Sequence, residues 1–188
     1  MAQDPGNDDP HPLLPTILPA LEGEFPHFAR FLMSGDADPI EEILPPCTLA
    51  EIEQLEREVL EQSLPPSYQA FLQIAGSMCL QGGAVRIHGR QLFFLYFPPL
   101  ESMKWEQRRQ AGRQNGGVWP PPSEGMLCFA DFWSEGDGDQ ALFDVSGGLV
   151  DGEYPVFYYN HDQGSTRRIA DGFRDWLERV VPGITGEE

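Results

Sequence analysis

The clearest pattern of hydrophobic and polar positions predicts two consecutive helices between residues 48 and 76. Thr48 followed three residues later by Glu51 is the signature of a capping box, in which two side chains satisfy backbone N–H groups at a helix start. Glutamates surround one apolar stripe, formed by Ile52, Leu55, Val59 and Leu60. Pro65 ends this helix because proline disfavours helical geometry in the preceding residue, and Pro66 suits the first turn of the next helix. Four residues of the second helix face inward: Tyr68, Phe71, Leu72 and Ala75.

Alternating and continuously apolar runs predict β-strands in the middle of the chain. Between residues 85 and 97, two strands flank a tight turn at Gly89 and Arg90, and residues 92–97 are continuously apolar, which is typical of a central strand. A short helix is predicted between Pro99 and Gly116. Three further strands are predicted at residues 126–131, 140–144 and 154–159.

The two ends of the chain carry further helical patterns. Residues 1–46 hold nine of the eighteen prolines, which excludes one long element, and residues 1–16 are predicted to be disordered. Apolar spacing between Leu18 and Met33 predicts a helix that Pro26 interrupts, or two short helices. At the other end, residues 166–181 predict a terminal helix that has Gly172 in its middle. Its apolar stripe is Ile169, Phe173, Trp176, Leu177 and Val180.

This order of elements predicts the α+β class. Grouped strands without regular βαβ alternation favour a mainly antiparallel sheet of about five strands, covered by N-terminal helices and a C-terminal helix. A length of 188 residues with 40% hydrophobic composition suits one globular domain. We expect an N-terminal extension at residues 1–46, partly disordered, a domain at residues 47–182 and a tail at residues 183–188.

Charge is the strongest signal in the composition. The formal net charge is -18, and residues 114–166 carry nine acids and no base. Such a protein repels phosphates, which argues against direct nucleic-acid binding and favours a basic protein partner. The basic run from Lys104 to Arg113 is too small to reverse this conclusion, and we expect it to pair with the protein's own acids.

The stretch from Phe129 to Val145 packs five acids into seventeen residues: Asp131, Glu135, Asp137, Asp139 and Asp144. Starting an EF-hand template at Asp131 puts Leu142 at its twelfth position, where a calcium site needs Glu, so the template fails. The acids do not mark a general acid/base pair, and Cys128 or Ser146 would have to meet His88 or His161 to make a nucleophilic site. Glycine and aspartate between apolar runs predict a hairpin tip. We expect neither a metal nor a cofactor.

The cysteines, the apolar runs and the N-terminus indicate the cellular compartment. Three widely spaced cysteines without a CxxC pair predict buried reduced thiols rather than disulfides. No apolar run is long enough to cross a membrane, and the N-terminus has neither the basic nor the apolar region of a signal peptide. These features predict a cytoplasmic protein, and the preference for arginine over lysine is typical of a high-GC bacterial genome.

In the order of these motifs, residues 48–181 resemble the SUKH superfamily, which joins bacterial toxin-immunity proteins to a fungal cell-wall regulator (Smi/Knr-like). The stretch "LPPSYQAFLQIAG" is similar to the family's Leu-Pro-x-x-Tyr-x-x-Phe-Leu-x-x-x-Asn-Gly core, with Ala75-Gly76 in place of Asn-Gly. "FADFWSEGDGDQALFDV" is similar to its strand–Gly-Asp–strand segment, "YPVFYYNHD" to a later strand, and "IADGFRDWLERV" to its terminal helix.

The resemblance implies a non-enzymatic immunity protein that binds and neutralises a cognate toxin, often a nuclease. We hypothesise that the acidic hairpin tip belongs to a negative surface for a basic toxin domain, with Trp133 and Tyr154 as aromatic anchors unless they belong to the core. The predicted contact residues are Asp131, Trp133, Glu135, Asp137, Asp139, Asp151, Glu153 and Tyr154. Two alternatives stay open: a regulatory scaffold without a toxin partner, and a small hydrolase.

Overall fold

The computed structural model describes residues 11–34, 40–60, 62–80, 85–89, 125–132, 139–160 and 165–184. These residues form an antiparallel sheet whose one face is covered by helices from both ends of the described chain. The predicted α+β class is confirmed. The predicted strand at residues 92–97, the helix between Pro99 and Gly116 and the basic run Lys104 to Arg113 lie outside the described residues.

Two short helices open the described chain, as the interrupted apolar pattern predicts. Helix α1 spans Leu14–Glu24 and helix α2 spans Pro26–Met33, with Pro26 in the first turn of α2. The start of α2 is capped from the far end of the chain, because Glu178 Oε2 accepts hydrogen bonds from the backbone N–H groups of His27 and Phe28 at 2.7 and 2.9 Å.

The residues before residue 47 contribute to the same hydrophobic core as the rest of the protein. Leu21, Phe25 and Phe28 are fully buried in the main cluster, and strand β1 (Ile40–Leu44) pairs with the sheet. The extension predicted over residues 1–46 therefore does not stand apart from the domain in its described part. Prolines interrupt the apolar pattern of this segment, but Pro15 and Pro26 lie in the first turns of α1 and α2, where proline is compatible with a helix, and Pro19 lies inside α1.

The predicted helix pair is present and begins as expected. Helix α3 spans Leu49–Gln54, and Thr48 and Glu51 form both hydrogen bonds of the capping box, with Thr48 N donating to Glu51 Oε2 at 2.8 Å. The helix continues through Leu55–Leu60 as a wider π-helical turn. Helix α4 spans Pro66–Ile74 and buries Tyr68, Phe71 and Leu72.

Seven strands, in chain order, make up the sheet that the structure describes. After β1 come β2 (Ser77–Leu80), β3 (Arg86–Ile87), β4 (Met126–Phe132), β5 (Asp139–Asp144), β6 (Val156–Asn160) and β7 (Ser165–Ala170). Each strand pairs antiparallel with the next. The strands predicted at residues 126–131, 140–144 and 154–159 are confirmed as β4, β5 and β6. Three strands beyond the prediction are β1, β2 and β7.

The terminal element corrects the sequence prediction. Residues 165–170 form strand β7 rather than the first turns of a helix, and helix α5 (Phe173–Asp175) begins after Gly172. The helical segment then runs through a π-helical turn, Trp176–Val180, into α6, Val181–Ile184. Gly172 is the N-cap, in extended geometry, and not a mid-helix residue. The sequence pattern predicts a helix here because the spacing from Ile169 to Phe173 matches one helical turn.

Aromatic side chains fill the space between the helices and the sheet. Phe129 and Phe143 stack with ring centroids 4.0 Å apart, and Phe173 lies within 6.4 Å of both. Along the strands, side chains alternate between faces, which places a second, small cluster of Cys128, Leu142 and Tyr159 on the opposite face.

We expect Phe25→Ala to destabilise the protein by about 3–5 kcal/mol, because the fully buried ring contacts Phe71 and Phe173 across two elements. Urea unfolding followed by circular dichroism measures this loss. Met33→Ala is the matched control, since Met33 is 59% exposed and its truncation should change stability by less than about 0.5 kcal/mol. Equal effects of the two variants would show that the N-terminal helices contribute no core.

Candidate functional site

The first predicted contact residue, Asp131, lies near the end of β4 and is mostly withdrawn from solvent. Its Oδ2 is 2.8 Å from Nε2 of His88, and the two side chains are 19% and 3% exposed. Arg86 stands directly opposite Asp131 on β3. Burial lowers the pKa of the Arg86 guanidinium, but its hydrogen bond to Cys79 and the nearby carboxylates, Asp131 among them, raise that pKa overall. Asp131 therefore has a structural partner inside the protein before any partner protein arrives.

Asp139, at the start of β5, is buried instead of exposed. Only 3% of the residue is accessible, and the Tyr158 hydroxyl donates a hydrogen bond to its Oδ2. The Arg167 guanidinium lies 5.1 Å from the centre of the Tyr158 ring, which extends the polar group to β7. This placement corrects the expectation that Asp139 faces a partner. Its carboxylate instead ties the start of β5 to β6 through Tyr158.

Three more of the predicted contact residues, Trp133, Glu135 and Asp137, lie outside the described residues, between β4 and β5.

The β5–β6 connection contains Asp151, a predicted contact residue that is exposed. Backbone hydrogen bonds join Val150 and Glu153 in both directions, at 2.9 and 3.0 Å, around a two-residue turn. Asp151 and Gly152 occupy this turn with φ of 52° and 81°, which identifies the type I′ turn that Asp-Gly favours. Asp151 is exposed. The same turn presents Leu149 and Val150 to solvent, with exposed fractions of 38% and 64%.

Glu153 and Tyr154 point back into the protein. Glu153 Oε2 accepts a hydrogen bond from the backbone N–H of Phe173 at 3.0 Å, and a Cβ added to Gly172 would come within 2.7 Å of the Glu153 side chain. Tyr154 is 2% exposed and its hydroxyl donates to the Ser63 carbonyl at 3.0 Å. Burial raises the pKa of the Tyr154 hydroxyl, and Glu56 raises it further, so the hydroxyl stays a donor. Tyr154 is thus a core residue and not an exposed aromatic anchor.

The predicted contact residues that the structure describes lie in two groups. Asp131 and Asp139 lie at one end of the β4–β5 pair, whereas Asp151 and Glu153 follow the opposite end of β5. The six residues of β5 put roughly 17 Å between the two groups at the rise of an extended chain. The two groups can therefore be tested as separate contact sites.

A groove that the sequence analysis missed lies beside the β5–β6 turn. It is open to solvent, has a volume of about 500 Å³ and is lined by Glu53, Glu56, Arg57, Gln62 and Ser63. Glu56 Oε1 accepts hydrogen bonds from Leu64 N at 2.5 Å and Gln69 Nε2 at 3.0 Å, which fixes the floor of the groove. Ser63 links the groove to the turn through its hydrogen bond with Tyr154. The Asp-Gly pair at residues 151–152 was a hairpin signal for this site, but nothing local marked the groove.

The described side chains also bear on whether the protein has a nucleophilic site or a metal site. Cys128 is buried, and burial together with the Asp131 charge raises the pKa of its thiol, which disfavours a nucleophilic thiolate. The three cysteines are reduced and buried. Across the residues with assigned positions, no three His, Cys, Asp or Glu side chains converge as metal ligands.

Helices packed on one face of an antiparallel sheet define an α+β domain. The chain belongs to the SMI1 / KNR4 family (SUKH-1), whose family model matches residues 46–179. Membership of this family fits an immunity or a regulatory role through protein–protein contact. The search of curated proteins gave no match. Within the described ranges, no helix has the length and apolar character needed to span a membrane.

We expect Asp131→Ala to destabilise the protein by about 1–3 kcal/mol, because it removes the acceptor beside the buried His88 ring. Thermal and urea unfolding measure this loss. Asp171→Ala is the control: its side chain is 87% exposed and pairs with Arg168 at 2.7 Å, an arrangement that contributes about 0–1 kcal/mol. A larger loss in Asp171→Ala than in Asp131→Ala would contradict the structural role of Asp131.

Proposed function

We propose that this protein is a non-enzymatic immunity protein that binds a basic toxin domain and blocks it. Family membership supports a protein-binding role, and the charge selects the partner. The observation that carries the proposal is the net charge of -18 together with the absence of any base from residues 114–166. A surface of this sign attracts a positively charged partner and speeds its association.

The same charge suggests how neutralisation works. The active site of a nuclease presents Arg and Lys side chains to the phosphates of its substrate. A carboxylate surface can bind these side chains and thereby block the substrate. Of the predicted contact residues, Asp131, Trp133, Glu135 and Asp137 would serve a surface at the hairpin end, and Asp151 and Glu153 one at the opposite end. Asp151 supports the second site most directly, since it is exposed and carries a negative charge at a fixed turn.

Capture from the native host, with washes at low and then high salt, tests the partner. We expect recovery of one basic polypeptide that leaves at high salt, is toxic when expressed alone, and loses that toxicity when co-expressed with this protein. Recovery of a stable housekeeping partner that high salt does not release would favour the regulatory alternative. A metal-dependent hydrolytic activity that is lost when single acids are replaced would favour the hydrolase.

The charge mechanism predicts a specific change in kinetics. We expect Asp151→Asn to slow association with the captured toxin about two- to threefold at low salt, and less at high salt, because it removes one steering charge. Asparagine keeps the turn, since Asn-Gly also favours type I′ geometry. Stopped-flow binding across a salt series measures the effect.

The matched control for this kinetic test is Glu22→Gln, which removes one exposed charge on helix α1 instead of at the β5–β6 turn. Equal slowing by the two variants would show that net charge acts without a defined surface. No salt dependence in either variant would argue against a basic partner.

A further inference from the structure

Two exposed aliphatic side chains stand on a turn that hydrogen bonds hold in place. Leu149 and Val150 are 38% and 64% exposed, while the turn that carries them is closed by a pair of backbone hydrogen bonds. Isolated exposed aliphatic residues are common on protein surfaces, so this adjacent pair gains significance from the features around it.

Contacts with three other segments hold this turn in place. Tyr154 donates to the Ser63 carbonyl, and Glu153 accepts from the first N–H of helix α5. A Cβ added at Gly152 would lie 3.7 Å from the Pro66 ring, so the turn rests against the start of α4. The exposure of Leu149 and Val150 is therefore a property of the folded domain, set by the same contacts that hold its helices.

The groove beside Ser63 adds a recess to this apolar turn. Its volume of about 500 Å³ can hold one long side chain of a partner, with room for water. Two of its five lining residues are glutamates, and the only base among them is Arg57. Exposed Glu53 faces this space without the hydrogen bonds that occupy Glu56.

Charge around the two features is mainly negative, with Arg57 the one base among the residues that line the groove. Asp144 and Asp151 flank the aliphatic pair in the chain, and residues 114–166 contain no base to balance them. An acidic rim around an apolar centre is complementary to a partner segment that has a basic rim around an apolar side chain.

We propose that Leu149, Val150, Asp151, Glu53 and Ser63 form one docking surface, the turn–groove surface, for a basic segment of the partner protein. An aliphatic or aromatic side chain of that segment packs on Leu149 and Val150. A neighbouring arginine or lysine enters the groove near Glu53. This inference rests on the proposed function and specifies where the toxin binds.

The first test uses the full chain, labelled with ¹⁵N, and an octapeptide of alternating arginine and leucine as the probe. We expect shifts of the backbone amides at residues 149–153 and near Ser63, and no such shifts with a glutamate–leucine octapeptide. The double variant Leu149→Ser, Val150→Ser should weaken binding about tenfold or more, as loss of an apolar centre does. Shifts confined to other residues, or no binding, would overturn the docking surface.

Matched variants separate the surface from the fold. Met33→Ser removes an apolar side chain that is 59% exposed on α2 and should leave peptide binding unchanged. Glu53→Gln is a second variant that keeps the aliphatic pair and tests the groove alone. If the double variant gives the spectrum of an unfolded chain, Glu53→Gln becomes the deciding test. We expect this variant to lose at least threefold in affinity for the arginine–leucine peptide. Unchanged affinity would contradict the proposal.

The captured toxin distinguishes failure of this surface from failure of the proposed function. A toxin that binds the Leu149→Ser, Val150→Ser variant with wild-type affinity would overturn the turn–groove surface and leave the immunity function intact. A partner that depends on the turn–groove surface but has no toxicity would keep the surface and remove the immunity function.

Discussion

The packing of the Phe173 ring is the interaction on which the rest of the structure depends. Phe173 contacts aromatic rings from four other parts of the fold, and each contact has a ring-centroid distance of 6.4 Å or less. These neighbours come from the junction of the N-terminal helices, from α4, from β4 and from β5: Phe25, Tyr68, Phe71, Phe129 and Phe143. One side chain therefore ties both ends of the described chain to the sheet. Its backbone N–H, bonded to Glu153, connects the same centre to the β5–β6 turn.

The sequence predicted those helix starts that are determined by residues close together in the chain. The Thr48–Glu51 capping box and Pro66 mark helix starts through chemistry within four residues, and both are present. Strand β7 could not be separated from the terminal helix, because Ile169 and Phe173 satisfy a helical period and only the pairing with β6, which runs from Ser165 to Ala170, makes the segment a strand. Strand β2 is buried along its whole length, so no alternation marked it.

The candidate site was predicted in part, for the same reason. Acids and turn residues are visible in a sequence, but the direction in which a carboxylate points depends on distant partners. Asp139 turns inward to Tyr158, nineteen residues away, and Tyr154 to Ser63, ninety-one residues away. Several of the carboxylates are thus structural: Glu51, Glu153 and Glu178 each accept backbone N–H groups at a helix start, where the helix dipole favours negative charge. The high negative charge contributes to the fold as well as to the surface.

The support behind the Asp151–Gly152 turn has a consequence for the thermodynamics of association. A loop that becomes ordered only in a complex loses conformational entropy on binding, and this loss is subtracted from the affinity that its contacts provide. In this protein the turn loses its conformational entropy during folding, because Ser63, Pro66 and Phe173 hold it before a partner binds. Contacts made by Leu149 and Val150 can then lower the dissociation rate with little entropic cost.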